Sequence, residues 1–325
     1  MALAMSLRIF SLLALIAFFF GVAHAQPAPV AAPLSGTVVS AKTSEPIAGA
    51  MLLVYRASGT GEAPLWQQLL TTDELGRYEL PCLPEGEYGV GVIAHGYAPQ
   101  KTSFTVAGGK PVVLDFKLQP LAHVLGRAVR YDGKPLKSKY IEYDATQPNF
   151  LRSGVIMVLR GRTTVFVDPM TGTAELDDEG RFVIPNIVPE PTTLLLTTRE
   201  DGGALVNVDF EKPGDVDLGK VVFKPFIRIT GKVVNGETGK PVPGARVLLR
   251  PKNVHGSLWE GQTYYRYTQT NSEGRFAFAN VVPHEYTVYA YTRNGSKLRG
   301  YCQQTEFTTP GKAYDVTVTL SKKKE

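Results

Sequence analysis

Asp73-Glu74-Leu75-Gly76-Arg77-Tyr78-Glu79-Leu80 is the stretch that decides the fold, because its pattern recurs twice further along the chain. The later copies are Asp177-Asp178-Glu179-Gly180-Arg181-Phe182-Val183-Ile184 and Asn271-Ser272-Glu273-Gly274-Arg275-Phe276-Ala277-Phe278. An Asp or Asn first and a glycine fourth are typical of a side-chain-capped turn in which the glycine takes a positive φ. The alternating apolar residues that follow predict a strand with one buried face.

Each copy also has an upstream companion that begins with a glycine, at Gly36-Thr37-Val38-Val39, Gly126-Arg127-Ala128-Val129 and Gly231-Lys232-Val233-Val234. Their spacing of 90 and then 105 residues suits one small domain per copy. No segment has a sustained helical period, and many short strands alternate with Gly/Pro turns. The sequence therefore predicts an all-β protein of three tandem small antiparallel Greek-key β-sandwiches, at 34–119, 120–224 and 225–320.

The two ends of the chain fall outside these sandwiches. Residues 1–25 combine Arg8, an apolar run and the small-x-small motif Ala23-His24-Ala25, which is typical of a cleaved signal peptide. A membrane anchor is the alternative, but no stop-transfer charge cluster follows. We expect a Pro/Ala linker at 26–33, a basic tail at 321–325, and a mature chain without a transmembrane helix. Its expected location is periplasmic, cell-surface or extracellular.

Cysteines and charge add two expectations. Cys82 and Cys302 lie in different predicted sandwiches, so the sequence favours two unpaired, buried thiols over a disulfide. The net charge is −2 in 34–119, −2 in 120–224 and +8 in 225–325. The last value suggests an anionic partner such as an acidic polysaccharide, lipid head groups or an acidic protein. An ordinary solvated basic face explains the charge more simply, and nothing in the sequence indicates nucleic-acid binding.

The repeated motifs resemble the carboxypeptidase regulatory-like domain, a transthyretin-like β-sandwich. The first copy matches almost throughout, at Gly36, Val38, Pro46, Gly49, Ala50, Asp73, Gly76, Tyr78, Pro84, Gly86, Tyr88 and then Ala94-His95-Gly96-Tyr97. The third copy matches at Gly231, Val233, Pro241, Gly244, Ala245, Gly274, Phe276, Asn280 and Tyr286. The second copy keeps Gly126, Pro135, Gly180, Phe182 and Asn186, but it lacks the Gly-Ala pair and the tyrosine and has a longer middle loop. The resemblance implies an accessory role in folding support, spacing or binding.

The residue inventory argues against catalysis. The chain has no H-E-x-x-H zinc motif, no G-x-S-x-G elbow and no phosphate-binding loop. Acidic residues such as Asp177 and Asp178 are explained by the turn itself, so no metal site is predicted. We expect no enzyme activity, catalytic residue or cofactor, with a hydrolase as the remote alternative.

Aromatic residues are the remaining functional candidates. The segment 255–267 supplies Trp259, Gln262, Tyr264, Tyr265, Arg266 and Tyr267, and Trp66 occupies the comparable stretch of the first copy. If the segment is a strand, Tyr265 and Tyr267 share one face and Tyr264 and Arg266 the other. Aromatic rings beside Gln and Arg are suited to sugar stacking and hydrogen bonding. The alternative is that these rings pack into the core, where buried aromatics are common.

These observations predict an exported binding or spacer protein of the cell envelope, with a polysaccharide or envelope glycan as the preferred ligand. One alternative is a structural or protein-interaction array that binds no glycan. A second is an accessory component of a secreted peptidase or an outer-membrane receptor system.

Overall fold

A computed structural model describes residues 31–56, 66–145, 157–159, 163–165, 171–212, 214–255, 266–292 and 298–322. Across these ranges the regular elements are 25 β-strands. No helix in this described part is long and apolar enough to cross a membrane. The predicted all-β sandwich fold is confirmed. The predicted signal segment lies outside the described residues.

Module 1 consists of strands β1 to β8. Their bounds are β1 Ala31–Ser40, β2 Met51–Arg56, β3 Trp66–Thr71, β4 Arg77–Pro84, β5 Gly86–Ile93, β6 Gln100–Val106, β7 Val112–Val113 and β8 Phe116–Leu118. One sheet has β1 between β4 and the closing pair β7 and β8, and the other has the order β3-β2-β5-β6. The first strand thus begins at Ala31, three residues before the predicted start, and takes in the end of the predicted linker.

Module 2 consists of strands β9 to β17. Their bounds are β9 Ala122–Arg130, β10 Tyr140–Ala145, β11 Met157–Leu159, β12 Thr163–Val165, β13 Thr171–Glu175, β14 Arg181–Ile187, β15 Thr192–Thr198, β16 Gly202–Val208 and β17 Val216–Phe223. Its two sheets have the orders β14-β9-β17 and β13-β10-β15-β16. The predicted long middle loop contains the separate antiparallel pair β11 and β12.

Module 3 consists of strands β18 to β25. Their bounds are β18 Ile227–Asn235, β19 Arg246–Pro251, β20 Arg266–Gln269, β21 Arg275–Val281, β22 His284–Tyr291, β23 Leu298–Tyr301, β24 Glu306–Phe307 and β25 Ala313–Lys322. The main path through its sheet is β20-β19-β22-β23-β25-β18-β21, so β23 joins the two layers. β25 takes in the first two residues of the predicted basic tail.

One pairing in each module refines the predicted antiparallel topology. The closing strand runs parallel to the first strand in all three modules, as β25 does beside β18 from Arg228↔Ala313 to Asn235↔Leu320. Each module also has a buried apolar cluster between its two layers of strands, and the module 2 cluster takes in Ala98 of module 1. The same layout therefore recurs in all three modules.

The recurring sequence motif is explained by two contacts. The side chain of Asp73 accepts hydrogen bonds from the backbone N–H groups of Leu75 and Arg77 at 2.9 and 2.8 Å, and Asp177 and Asn271 cap their turns in the same way. The fourth-position glycines have φ of 70°, 79° and 72°, as the turn chemistry predicts.

The second contact pairs the upstream glycine with the aromatic residue of the motif. Gly36 lies directly opposite Tyr78 on the neighbouring strand, and the other modules repeat this register with Gly126↔Phe182 and Gly231↔Phe276. A Cβ added at Gly231 would lie 2.2 Å from the carbonyl oxygen of Val316 and 2.7 Å from the ring of Phe276. Glycine is required there because the ring and a neighbouring strand occupy the space of a side chain.

A threonine just before the capped turn was not singled out from the sequence. In module 3, the hydroxyl of Thr270 accepts a hydrogen bond from the N–H of Ala245 at 2.9 Å and donates one to the carbonyl oxygen of Val242 at 2.7 Å. Thr72 makes the same pair of bonds in module 1, to Ala50 and Ile47. These bonds fix the Gly-Ala turn, and module 2, which lacks that turn, has Leu176 at the equivalent position.

The position six residues after the motif glycine, which is Cys82, Asn186 or Asn280, lies within a β-bulge. Asn186 and Asn280 have φ of 61° and 52° there, and asparagine tolerates this left-handed backbone geometry better than most other residues. Cys82 occupies this position in module 1 and is exposed, whereas Cys302 is buried, and neither forms a disulfide. The expectation that both thiols are buried is therefore wrong for Cys82, whose side chain lies on the bulge of a strand facing solvent.

Modules 2 and 3 contact each other through side chains. Leu195 and Val282 are buried together, with Phe226 and Leu205 packed beside them. The side-chain amide of Asn207 donates a hydrogen bond to the carbonyl oxygen of Asn253 at 2.9 Å. The outer side of one module 2 sheet is thus partly covered by module 3.

Candidate functional site

The seven aromatic and polar candidates from the sequence occupy different places. Trp259, Gln262, Tyr264 and Tyr265 lie outside the described residues, so their roles stay predictions. Trp66, Arg266 and Tyr267 are described and belong to the edge strands β3 and β20 of two different modules. The structure therefore does not bring Trp66 together with the other two.

Trp66 is partly buried at the margin of the module 1 core. Its ring meets that of Tyr88 edge to face, with the ring centroids 5.9 Å apart, and Tyr88 stacks in turn on Phe104 at 5.6 Å. Trp66 therefore packs against the core, as in the alternative to a sugar-binding role.

Arg266 points to the side of β20 that faces the opposite sheet. Its guanidinium donates hydrogen bonds to the carbonyl oxygens of Ala279 and Asn280 and lies 6.0 Å from the centre of the Phe278 ring. Burial lowers the pKa of Arg266 from its ordinary value, although the group remains a cation at neutral pH. Its place is beside a cleft of about 540 Å³ between modules 2 and 3.

Tyr267 points the other way, to the outer face of the sheet, and 53% of its surface is exposed. The predicted separation of Arg266 and Tyr267 onto opposite faces is thus confirmed. On the outer face Tyr267 lies with three other tyrosines, which are not among the candidates predicted from the sequence. We call Tyr267, Tyr289, Tyr291 and Tyr301 the tyrosine face.

Strand register aligns the tyrosine face across four strands. Leu248 of β19 pairs with Tyr267 of β20 on one side and with Tyr289 of β22 on the other, and Tyr289 pairs with Tyr301 of β23. Three tyrosines and one leucine therefore form a row perpendicular to the strands. Leu248 is only 4% exposed although it lies on the outer side, because tyrosines flank it in register.

The rings of the tyrosine face are close together and accessible. The centroids of Tyr289 and Tyr301 are 4.8 Å apart, and those of Tyr289 and Tyr291 are 5.7 Å apart with an angle of 27° between the ring planes. Tyr301 is 59% exposed. Burial raises the pKa of Tyr289 further above the physiological range. Clustered rings of this kind, two of them exposed and two partly buried, provide an apolar surface with polar rims.

Arginines flank this surface. The guanidinium of Arg246 lies 4.4 Å from the centre of the Tyr267 ring. Arg299 is exposed on β23, opposite Tyr291, and its charge acts against the upward shift in the pKa of Tyr289. Rings and cations therefore lie on one surface.

One sequence signal could have indicated the tyrosine face. In the run from Tyr286 to Tyr291, Tyr286, Val288 and Ala290 are buried, so the alternate positions must face outward. Those outward positions carry Tyr289 and Tyr291 where polar residues are usual. The sequence therefore predicts aromatic residues at solvent-facing positions of this strand. It does not predict that they align with tyrosines of neighbouring strands.

No metal-binding cluster of three or more His, Cys, Asp or Glu side chains occurs within the described ranges. Of the histidines in these ranges, His123 and His255 form ionic contacts with Asp215 and Asp209 of module 2.

Solved structures similar to this chain include a Bacillus anthracis protein and two pilins. The TIE protein of Bacillus anthracis is 17% identical over 90% of this chain and 51% of its own, with a TM-score of 0.26, so the chain spans about half the length of that structure. The minor pilin of Streptococcus agalactiae is 17% identical over 60% of this chain and 97% of its own, with a TM-score of 0.39. The major pilin subunit of Bacillus cereus is 14% identical over 91% and 100%, with a TM-score of 0.25.

These identities and scores are too low to carry an argument about function. No curated protein matches the chain. The family model for the carboxypeptidase regulatory-like domain matches residues 33–119 and 228–321, which are modules 1 and 3 and more than half of the chain. The unmatched module 2 is the copy that lacks the Gly-Ala turn and the buried tyrosine. The chain belongs to the carboxypeptidase regulatory-like domain family.

Proposed function

We propose that this protein is an exported, non-catalytic binding protein of the cell envelope that holds a glycan on the tyrosine face of module 3. The exposed row of rings on β20, β22 and β23 is the observation that carries the proposal. Pyranose rings present an apolar C–H face, and aromatic side chains on a rigid element stack against it while hydroxyls find polar partners at the rim.

Three further features support this role. The residues 1–25 have the pattern of an export signal. The tyrosine face lies on strands rather than on loops, so its rings are held in place before a ligand arrives, which lowers the entropy cost of binding. Trp259 and the other predicted aromatic candidates of the segment 256–265 come directly before β20 in the sequence.

The test is a pull-down of residues 26–325 against insoluble glycans and peptidoglycan at low and moderate salt. We expect the double variant Tyr289→Ala/Tyr301→Ala to lose about tenfold or more in affinity, since each stacked ring contributes roughly 0.5–1.5 kcal/mol in addition to its buried area. Trp259→Ala is tested beside it, because Trp259 is another predicted residue of the site.

The matched control is Tyr131→Ala/Tyr140→Ala. These module 2 tyrosines are 57% and 56% exposed, so the control removes two accessible rings elsewhere. Equal losses in both double variants, or binding that is unchanged without Tyr289 and Tyr301, would contradict the proposal.

A structural array is the second candidate. It is favoured by the apolar contact of Leu195 with Val282 and by the hydrogen bond between Asn207 and Asn253, which fix module 3 against module 2. Envelope association without binding to any glycan, and without change in the tyrosine variants, would support this role instead.

A further inference from the structure

The proposed glycan site has a second row of side chains that gives it a charge preference. The first row consists of Tyr267, Leu248, Tyr289 and Tyr301, and we call it the tyrosine row. A second row lies two residues further along each strand. The same register aligns its members on β20, β19, β22 and β23, which are Gln269, Arg246, Tyr291 and Arg299. Residues two positions apart on a strand are roughly 7 Å apart. The surface therefore consists of an aromatic row with a parallel row that carries two arginines.

The spacing of the two arginines matters. Arg246 and Arg299 lie on strands separated by one intervening strand, so their backbones are roughly 10 Å apart. Tyr267 and Tyr289 are separated by one strand in the same way. A sugar chain lying across the strands would thus meet a ring and a cation at the same interval.

The surrounding charge is positive. On the other side of the tyrosine row, Arg250 pairs with Thr287. Within the described residues, no Asp or Glu lies on these three rows, and the nearest carboxylates on this face are those of Glu285 and Glu306, which pair with each other further along β22. The segment 225–325 has a net charge of +8, whereas the two preceding segments are each at −2. Charge complementarity therefore favours an anionic occupant.

Arginine rather than lysine indicates which anion. A guanidinium presents a planar set of donors that matches the two oxygens of a carboxylate, and it can stack on an aromatic ring while its edge donates hydrogen bonds. Arg246 has this stacked arrangement over Tyr267. Such a guanidinium is oriented before the ligand binds.

We infer that the tyrosine face selects a carboxylate-bearing polysaccharide, a polyuronate, whose sugar rings stack along the tyrosine row while carboxylates of alternate residues reach Arg246 and Arg299. This inference rests on the proposed function, because it names the class of glycan for the same surface. The tyrosine rings stack on the sugars, and the two arginines distinguish a carboxylate-bearing polysaccharide from a neutral one.

The test compares a soluble β-1,4-linked polyuronate, polymannuronate, with its carboxyl-reduced neutral form, by affinity electrophoresis of residues 26–325. We expect the unmodified protein to prefer the polyuronate by about tenfold, the gain typical of charge-assisted hydrogen bonds at an exposed site. Arg246→Gln/Arg299→Gln should abolish that preference, so that the polyuronate and its neutral form bind with equal affinity. Arg299→Gln alone, an exposed substitution that leaves the stacked Arg246 in place, should remove part of it.

The control is Arg228→Gln/Arg275→Gln, which removes the same charge from exposed positions on β18 and β21 in the other layer of module 3. An equal loss in this control would mean that net charge alone attracts the polymer, and it would overturn the inference. Equal binding of the acidic and neutral forms would overturn the inference but leave the proposed function standing. Binding of neither form by the unmodified protein would overturn both.

Discussion

Replacing Thr270 by valine is the sharpest test of how the repeated turn is held. Valine has nearly the shape of threonine, so the packing stays and only the hydroxyl is lost. That hydroxyl is the acceptor for the N–H of Ala245, at 2.9 Å, and the donor to the carbonyl oxygen of Val242, at 2.7 Å. Thr270 and Ala245 are both buried, so water cannot easily replace the lost partner.

The expected cost follows from the two backbone groups left without the hydroxyl. An unsatisfied buried donor or acceptor costs about 1–3 kcal/mol. The Ala245 N–H takes the full penalty, while the Val242 carbonyl belongs to a half-buried residue and pays less. We expect Thr270→Val to lower the free energy of unfolding of module 3 by about 2–3 kcal/mol.

The assay is urea unfolding, with hydrogen exchange of peptides from 227–322 assigning the transition to module 3. Thr72→Val should have an equal effect in module 1, where the same two bonds measure 2.8 and 2.7 Å. Thr317→Val, at an exposed position on β25, is the control and should change stability by less than about 0.5 kcal/mol. A loss in Thr270→Val no greater than in this control would refute the reasoning.

Three other predictions test separate parts of the structure. Gly231→Ala should destabilise module 3 by about 3 kcal/mol in the same urea assay, because its new methyl group meets the fixed carbonyl of Val316 at 2.2 Å, and unchanged stability would contradict the glycine–aromatic pairing. Burial raises the pKa values of Tyr78 and Tyr286 above the ordinary 10.0, so the unfolded chain loses these protons first and stability should fall above pH 10, by up to about 1.4 kcal/mol per pH unit for each tyrosine; replacing both by phenylalanine should flatten this fall, and an unaltered alkaline slope would contradict it. Because Cys82 is exposed and Cys302 is buried with a raised thiol pKa, a maleimide should label one thiol per native chain and two after unfolding; rapid labelling of both in the native protein would contradict the assigned burial.

Local turn chemistry was readable from the sequence because it depends on residues close in the chain. The capped turns at Asp73, Asp177 and Asn271 need only an acceptor side chain and a glycine three positions later, and the structure confirms all three. The parallel pairing of closing and first strands could not be read in this way, since it joins residues about 85 positions apart, such as Thr230 and Asp315.

The candidate site was only partly predictable for the same reason. Tyr267 was predictable as a candidate because it lies in a segment rich in aromatic residues. Its position on the opposite face of the strand from Arg266 follows from the alternation of side chains along a strand. Tyr289 and Tyr301 each look ordinary within their own strands. They become a surface only through cross-strand register, which places their rings 4.8 Å apart.

The cysteine prediction failed because position along a strand was not enough to give burial. Cys82 lies in a region of alternating residues, but the bulge next to Leu83 shifts the alternation by one step and turns its side chain outward.

The most direct test of the central claim is NMR of the protein with ¹³C-labelled tyrosine rings, titrated with soluble polymannuronate. The account predicts chemical-shift changes for Tyr267, Tyr289, Tyr291 and Tyr301, assigned by single Tyr→Phe variants, and none for Tyr131 or Tyr140. Saturable binding that leaves the four tyrosines of the face unshifted, or that shifts the module 2 tyrosines equally, would contradict it.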